Sequence, residues 1–501
     1  MRRRKRKTSS AQLHGRTNGL DRLLVDRSAR VPPTAADRLL RSLSMSANYS
    51  RLWMGVAAAL VVVGGRAPRR GAVRGLLAVS VASAVANGIA KPLLPRRRPP
   101  DESVPFVRRL VSPPVSSSFP SGHAASAAAF ATGVALESPT AGVLVAPIAL
   151  AVGYSRVHIG VHWPSDVVAG AALGGAIALA TRRWWAARPD DPATLGPTAR
   201  IEPVRAGNGL LLVGNPSSGS GAADDALQQL RTRLPAAQVL ELDPEADLDA
   251  QLDDLLGREH IVALGVLGGD GTVSSVAAAA VHHRLPLAVF AGGTLNHFAR
   301  DAGVEDMART LQALDAGEVV RIDIARVQFD RSEPQTFINT ASLGGYPDFV
   351  RLRERWETRI GKWPAAGIAM VRLLFRAQPL RTTIDGARTT IWMLFVGNGR
   401  YHPSHQIPMS RPEIHRGTLD IRYLRADLAF SRTRLIWATL TGTLERSATY
   451  VHRQADRLDV GVAYAPVSLA TDGEVDHRGK DFTFTSQPAA LTLFRPPDEN
   501  S

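Results

Sequence analysis

Residues 261–280 read IVALGVLGGDGTVSSVAAAA, and this stretch decides the fold of the C-terminal half. It opens as a short apolar strand over 261–267, of the length and composition of a buried sheet strand. It then turns through Gly268-Gly269-Asp270-Gly271-Thr272 and continues as a helix of small residues. Strand, glycine turn, helix is the grammar of an open α/β domain, whose ligands sit at the carboxyl ends of the strands. Gly268, Gly269 and Gly271 let the backbone approach a polyphosphate. Thr272 opens a helix whose N-terminus favours anions. Asp270, between glycines, has the chemistry of a base or a magnesium ligand.

Outward from this turn the pattern repeats. Residues 209–214 read as a strand, followed by Asn215-Pro216-Ser217-Ser218-Gly219-Ser220-Gly221 and a helix over 222–234. A strand over 237–242 and a helix over 247–257 come next. A strand over 286–290 then leads into Gly292-Gly293-Thr294-Leu295-Asn296. One glycine turn in an α/β domain is often merely a tight turn; three at successive strand ends point to a nucleotide. The Walker lysine is missing, since the only lysines after Lys91 are Lys362 and Lys480. That excludes a P-loop enzyme.

From 318 the grammar is mainly strands, over 321–329, 335–341, 389–396, 418–424, 458–462, 467–471 and 491–494, with helices over 347–377 and 428–447. This is a β-rich lobe. Near its end stands Thr471-Asp472-Gly473-Glu474. Asp-Gly is by itself the commonest hairpin turn.

The N-terminal half is built differently. The chain has 501 residues and a net charge of +15, very unevenly spread. Residues 1–187 hold 26 basic and 7 acidic residues, a net +19; the remainder holds 34 and 38, a net −4. Hydrophobic residues make up 45%, which excludes a mostly disordered chain. There are no cysteines, which excludes a thiolate nucleophile, an iron–sulfur cluster and Cys-ligated zinc. Residues 1–34, opening MRRRKRK, read as a flexible, disordered basic arm, with a tether to anionic lipid headgroups as the sharper alternative; no nucleic-acid partner is expected. Residues 35–50 read as an amphipathic helix. Apolar stretches over 52–65, 75–94, 124–136, 142–154 and 167–181 are candidate membrane spans, several below the usual length. Their small residues suit tight packing in a membrane. Trp184 and Trp185 after Arg182 and Arg183 make an interfacial anchor. The alternative is a soluble helical bundle. Five spans would leave the N-terminus outside, against the positive-inside tendency.

Three constellations lie between these helices. Lys91 is followed at the seventh position by Arg98-Pro99. Pro120-Ser121-Gly122-His123 follows a polar run, Ser116–Ser118. Ser155-Arg156 precedes His162 and Asp166. Lys91, Arg98 and Arg156 supply fixed cations for a phosphate group. Ser121 and the Gly122 backbone can donate to it at a helix start. His162 can attack phosphorus, Asp166 one turn on can hold its other ring nitrogen, and His123 can protonate the leaving oxygen. His158 and His162, four apart, could instead be metal ligands, but no third ligand lies nearby.

With all three constellations in order, residues 35–181 resemble the type-2 phosphatidic acid phosphatase family of the acid phosphatase/vanadium haloperoxidase superfamily. The resemblance implies cofactor-free hydrolysis of a lipid phosphomonoester or diphosphate through a phosphohistidine at His162. The segment 209–495, with Asn215–Gly221, the Gly-Gly-Asp-Gly-Thr turn and Asp-Gly-Glu, resembles the diacylglycerol kinase catalytic family. That resemblance implies two lobes, ATP with Mg2+ in the cleft, and transfer of the γ-phosphate to a lipid hydroxyl. It makes Asp472 the proposed base and Asp270 and Glu474 the metal-linked acids. Asn215, Gly219, Gly268, Gly269, Asp270, Gly271, Thr272, Gly293, Thr294, Asn296 and Glu474 become the nucleotide contacts. One departure matters: the family's Asn-Asp-Phe-Ala is here Asn296-His297-Phe298-Ala299, and Asp301 is the carboxylate placed to compensate.

The expected organisation is multi-domain. A basic arm at 1–34 leads to an all-α, membrane-spanning phosphatase bundle at 35–187. After a linker at 188–208 come an α/β nucleotide-binding lobe at 209–317 and a β-rich lobe at 318–501. The expected partners are membrane lipids and ATP; none of these motifs speaks to oligomeric state. The expected place is a bacterial cell membrane, with the kinase in the cytoplasm and His162 outside. The competing reading has one half, more readily the kinase, inactive and serving as an anchor or lipid sensor.

Overall fold

The computed structural model describes residues 19–110, 114–188, 192–194, 196–214, 222–241, 251–252, 255, 260–293, 296–345, 378–404 and 410–496. The chain divides into two compact units, Met1–Arg188 and Pro189–Ser501.

The first unit is all helical. Its helices are α1 (Gly19–Arg30), α2 (Ala35–Ser46), α3 (Arg51–Val63), α4 (Arg66–Ala84), α5 (Gly122–Glu137), α6 (Pro139–His158) and α7 (Pro164–Ala180). Ser121 and Ser138 cap α5 and α6 with their side chains, and Pro139 and Pro164 occupy first-turn positions that need no N–H donor. α4 continues through a wider turn at Val85–Ala90 to Leu93. Among the described residues, three helices are long and apolar enough to cross a membrane: Arg66–Leu93, Pro139–His158 and Pro164–Arg183.

α5 lies at the centre, packed by α4, α6 and α7. Trp53 and Phe130, both fully buried, meet there with ring centroids 5.1 Å apart. The approach of α7 to α5 is set by glycine. A Cβ on Gly174 would stand 2.0 Å from the Ala125 carbonyl oxygen, and one on Gly170 2.3 Å from that of Ser121. No larger residue fits between these backbones.

Two expectations for this half are corrected. Residues 19–30 are not an arm but a helix whose Asp21 is buried in the bundle. The helix expected over 75–94 begins earlier, so Arg66, Arg69, Arg70 and Arg74, which fall between the first two expected spans, lie within α4. Arg74 is fully buried, where its guanidinium meets Glu137 at 2.6 Å, Thr181 Oγ1 at 2.7 Å and the Trp185 carbonyl at 2.9 Å. The apolar stretch 124–136 lies in α5, a helix of 16 residues at the centre of the bundle.

The second unit is built on one connected sheet. β2 (Leu210–Gly214), β3 (Gln238–Glu241), β4 (Ala263–Gly268) and β5 (Leu287–Ala291) are parallel in the order β3-β2-β4-β5. Helices α8 (Ala222–Arg233), α9 (Asp270–His283), α10 (His297–Asp301) and α11 (Met307–Ala316) belong to this lobe. Apolar clusters cover both faces, around Val266 and Val289 on one and Leu212 and Phe290 on the other. Burial on both faces explains why β2, β4 and β5 are continuous apolar runs, whereas the edge strand β3 is half-buried and mixed.

The β-rich lobe is antiparallel, with α12 (Ser431–Thr441) as its described helix. β16 (Asp481–Phe494) joins the lobes: it pairs antiparallel with β6 (Glu318–Phe329) and β13 (Arg457–Val462), and parallel with β5 at Leu493–Leu287. Strands at 380–384, 450–455 and 474–479 were not foreseen. The helix expected over 428–447 runs only over 431–441. The helix expected over 347–377 lies outside the described residues. The expected linker is also corrected. Residues 198–200 pair antiparallel with β6, and Ala193 and Val204 are buried in the second unit's core.

Candidate active sites

In the helical unit, the first constellation lies at the end of α4 and just beyond it. Lys91 donates to Asn87 Oδ1 at 2.8 Å. Arg98 donates to the Val161 carbonyl at 2.5 Å, and the same nitrogen lies 3.3 Å from His162 Nε2. Its other nitrogens hold Ser116 and Ser117. The second constellation starts α5. Ser121 is fully buried, accepts from the Ala124 N–H, and its own N–H donates to the Asp166 carbonyl at 3.0 Å. A Cβ on Gly122 would lie 3.0 Å from Asn87 Oδ1, so the Lys91 and Gly122 segments touch through Asn87. His123 Nε2 lies 2.8 Å from Asn48 Oδ1.

The third constellation spans the loop between α6 and α7. Asp166 is on the first turn of α7, with one oxygen accepting from the Trp163 N–H at 2.9 Å. That oxygen stands 3.5 Å from His162 Nδ1. This is ion-pair range rather than a formed hydrogen bond, and buried Nδ1 has no hydrogen-bond partner. Burial pushes the His162 imidazole down to about 4, reinforced by Arg98 and Arg156 and opposed by Asp166. His162 is therefore neutral at pH 7. With its proton on the Nδ1 side facing Asp166, the Nε2 lone pair faces Arg98. Arg156 is buried and donates to Ser44 of α2, and its Nε has no partner.

Thus Arg98, His162 and Asp166 are brought into direct register, and Lys91 and Gly122 meet through Asn87. Sequence reasoning missed the supports. Arg96 donates to the second oxygen of Asp166 at 2.6 Å and to Asp21 at 2.7 Å. His158 is bound to Asp37 at 2.5 Å beside Arg108, which leaves it no role as a metal ligand with His162. Among the described residues, no group of three His, Asp or Glu could hold a metal. Arg96 was indistinguishable within the run 96–98. Asp21 and Asp37 carried a readable signal, as two of only seven carboxylates in 1–187.

In the second unit, two glycine turns meet. A Cβ on Gly293 would lie 2.6 Å from the Gly269 Cα, so the turns after β4 and β5 stack backbone on backbone. Asn296, left-handed at φ 46°, clasps Gly293 with two side-chain bonds at 2.9 and 2.7 Å. Gly268 ends β4; Asp270, Gly271 and Thr272 form the first turn of α9. Asp270 accepts from the N–H groups of His297 at 3.0 Å and Phe298 at 2.9 Å, anchoring the second turn to the first. Glu474 reaches the same place: its Oε1 lies 2.3 Å from where a Gly271 Cβ would be. Asn215, Gly219 and Thr294 lie outside the described residues.

Asp472 sits in a β-hairpin turn, left-handed at φ 48°, as the Asp-Gly pair indicates. Its carboxylate does more than turn the chain. It accepts from Ser274 Oγ at 2.6 Å and from the N–H groups of Ile338, Asn339 and Thr340 at 2.9, 2.8 and 2.9 Å. Burial pushes its proton affinity up, and these bonds oppose that. A carboxylate has about four acceptor sites, and all are filled. This departs from the base role, which needs a vacant lone pair. Asp301 is also corrected as a stand-in for the missing carboxylate. It is buried, with Arg411 donating to it at 2.8 Å. Arg411 further holds Asn339, which reaches Asp270 at 3.4 Å. Ser274, Asn339 and Arg411 form an inner frame that no motif announced. His297 lies 2.7 Å from Arg300, and burial, then Arg300, pushes its imidazole down.

Asp270 and Glu474 converge on one turn as hard oxygen donors. Magnesium characteristically takes one or two carboxylates together with substrate phosphates, so this donor set fits it.

Comparison with known proteins agrees with this division. The "PAP2 superfamily" description matches residues 72–190 and "Diacylglycerol kinase catalytic domain" matches 209–327. A decaprenylphosphoryl-5-phosphoribose phosphatase of Mycobacterium tuberculosis is 46% identical over 99 residues, 19% of this chain and 51% of that protein. The chain thus spans about half the length of that relative. A "Probable lipid kinase YegS-like" protein of Xanthomonas axonopodis pv. citri is 30% identical over 245 residues, 46% of this chain and 77% of that protein. A solved structure of a putative diacylglycerol kinase from Bacillus anthracis aligns at 22% identity with a TM-score of 0.45, covering 57% of this chain and 97% of that one. The chain belongs to the diacylglycerol kinase catalytic family through its second unit and carries a PAP2 superfamily domain in its first.

Proposed function

We propose that the chain is a bifunctional lipid-phosphate enzyme of a bacterial membrane. The helical unit hydrolyses a lipid phosphomonoester or diphosphate without a cofactor. The second unit transfers the γ-phosphate of ATP to a lipid hydroxyl such as that of diacylglycerol. The observation that carries the phosphatase reading is the buried His162 set between the Arg98 cation and the Asp166 carboxylate. In this reading Nε2 of His162 attacks phosphorus. Lys91, Arg98 and Arg156 stabilise the charge on the transferring group, with Ser121 and Gly122 at the start of α5. His123 hands a proton to the leaving oxygen, and water then releases phosphate from the phosphohistidine. The relative's name supports a polyprenyl-linked phosphate as one substrate class; phosphatidic acid and phosphatidylglycerol phosphate fit as well.

In the kinase, Gly268, Gly269, Gly271, Thr272 and Gly293, with Asn215, Gly219, Thr294 and Asn296, form the nucleotide bed. Asp270 and Glu474 would hold magnesium. When bound, the ion neutralises charge on the transferring phosphate. Asp270 has acceptor sites left after its three bonds and is assigned to the reacting end. Asp472 is assigned to fixing the 338–340 backbone beside it.

ATP is cytoplasmic, and one spanning helix, Pro164–Arg183, follows the His162 loop. We therefore place the kinase inside and His162 outside. The Arg70 and Arg74 end of α4 meets the Trp185 end of the bundle, so these arginines gather at the end assigned to the cytoplasm.

A metal chelator tests the chemistry. Phosphate release by the purified full-length protein should persist in a chelator, while ATP-dependent lipid phosphorylation should stop. Loss of both would overturn the phosphohistidine mechanism.

A further inference from the structure

We propose that Arg96, clamped by Asp21 of α1, is a positioning residue of the phosphatase that fixes the Asp166 carboxylate toward His162. The proposal rests on the phosphohistidine reading above. It also makes α1, which lies before the family-matched segment 72–190, a working part of the site.

The geometry is a chain of alternating charges. Arg96 donates through one terminal nitrogen to Asp166 Oδ1 at 2.6 Å and to Ser165 Oγ at 2.7 Å. Its other terminal nitrogen donates to Asp21 Oδ2 at 2.7 Å. Asp21 closes the ring, accepting from the Ser165 N–H at 2.9 Å and from Ser165 Oγ at 2.7 Å. The backbone of Arg96 is pinned as well: its N–H donates to Ser117 Oγ at 2.9 Å, and its carbonyl accepts from the Ser118 N–H at 3.0 Å. Side-chain exposure is 11% for Arg96, 3% for Asp21 and 0% for Asp166. Buried charges hold their geometry only when each is paired and hydrogen-bonded, and every charge in this chain is.

The consequence follows from the two oxygens of Asp166. Oδ1 is held by Arg96 and Oδ2 by the Trp163 N–H, so the carboxylate cannot rotate without breaking an ion pair. Oδ2 is the oxygen that faces His162 Nδ1. Without Arg96 only the Trp163 N–H restrains the carboxylate, and the hold on the oxygen that sets the imidazole's tautomer loosens. Groups that orient a working imidazole from outside have this form in other enzymes. Asp21 acts one step further out, holding Arg96 in place.

The test uses the full-length purified protein in detergent, with dioctanoyl phosphatidic acid as the probe substrate. Arg96→Ala should lower kcat roughly 10- to 100-fold, as outer partners of a working imidazole do, with KM changed less than about twofold. Added guanidinium chloride should restore part of the lost kcat, and sodium chloride at equal ionic strength should not. Arg96→Lys, which keeps the charge and one donor, should retain an intermediate kcat and serves if the alanine variant does not fold. Asp21→Asn should lower kcat less than Arg96→Ala and show no rescue. Wild-type kcat in Arg96→Ala, or in Arg96→Lys together with Asp21→Asn, would overturn the proposal. So would a deficit that guanidinium and sodium chloride relieve equally. His162→Ala separates the two readings. If it is active, the phosphohistidine reading fails. If it is inactive while Arg96→Ala matches wild type, only the positioning role fails.

Discussion

His162 and Asp472 show how burial and hydrogen bonding assign work to single side chains. His162 is held neutral because an imidazolium there would be desolvated beside two guanidinium groups. Its folded-state pKa, about 4, lies below the ordinary value of 6.5. The unfolded chain therefore binds the proton more readily, and the contribution of this residue to stability falls as pH drops from about 6.5 to about 4. A nucleophile needs the neutral ring. The acid limb of kcat/KM, corrected for the substrate's own ionisation, should lie near pH 4 rather than near 6.5. A limb near 6.5 would mean an exposed or differently paired imidazole. Asp472 is the opposite case. Asp472→Asn keeps the shape but turns two acceptor sites into donors facing N–H groups. An unsatisfied buried donor costs about 1–3 kcal/mol, so thermal stability of the kinase unit should fall together with its activity. Loss of activity with unchanged stability would return Asp472 to the role of base. At this scale the motif residues were legible because each bears unusual chemistry at fixed spacing. Their supports were not. Arg96 looks like its neighbours Arg97 and Arg98, and Ser274, Asn339 and Arg411 meet Asp270 and Asp472 only through the fold.

Among the elements, glycine carries the most specific information. α7 reaches α5 only because positions 170 and 174 lack a Cβ, and the two nucleotide turns stack only because 293 does. Gly174→Ala should destabilise the helical unit by about 1–3 kcal/mol, the usual range for overpacking. It should lower the heat stability of the phosphatase and leave the kinase unmoved. Gly293→Ala should do the reverse, abolishing kinase turnover with normal phosphate release. Either variant impairing both activities equally would contradict the separation into units. The parallel strands were readable from buried apolar runs. The strands at 380–384, 450–455 and 474–479 were not, because half-exposed antiparallel strands rich in Thr, Arg and His lack a clean apolar alternation. The helix at 19–30 was masked by basic composition, which reads as a solvated arm until Asp21 finds Arg96.

For the whole molecule, the uneven distribution of charge along the chain marks the boundary between its two units. Charge alone does not reveal that Ala193, residues 198–200 and Val204 pack into the second unit, because proline and charge suit a linker and a covering strand alike. Sidedness is open to direct labelling, since the chain has no cysteine of its own. Ser103→Cys in the segment before the second phosphatase constellation should react with a membrane-impermeant thiol reagent on intact cells. Ser447→Cys in the kinase should be spared. Equal protection of both would put the phosphatase in the cytoplasm. The central claim is that two independent chemistries share one chain, and a reciprocal knock-out tests it most directly. In purified full-length protein, His162→Ala should abolish phosphate release while ATP-dependent lipid phosphorylation continues at the wild-type rate, and Asp270→Asn should abolish phosphorylation while phosphate release continues. If either substitution removes both activities, or neither, the account is wrong.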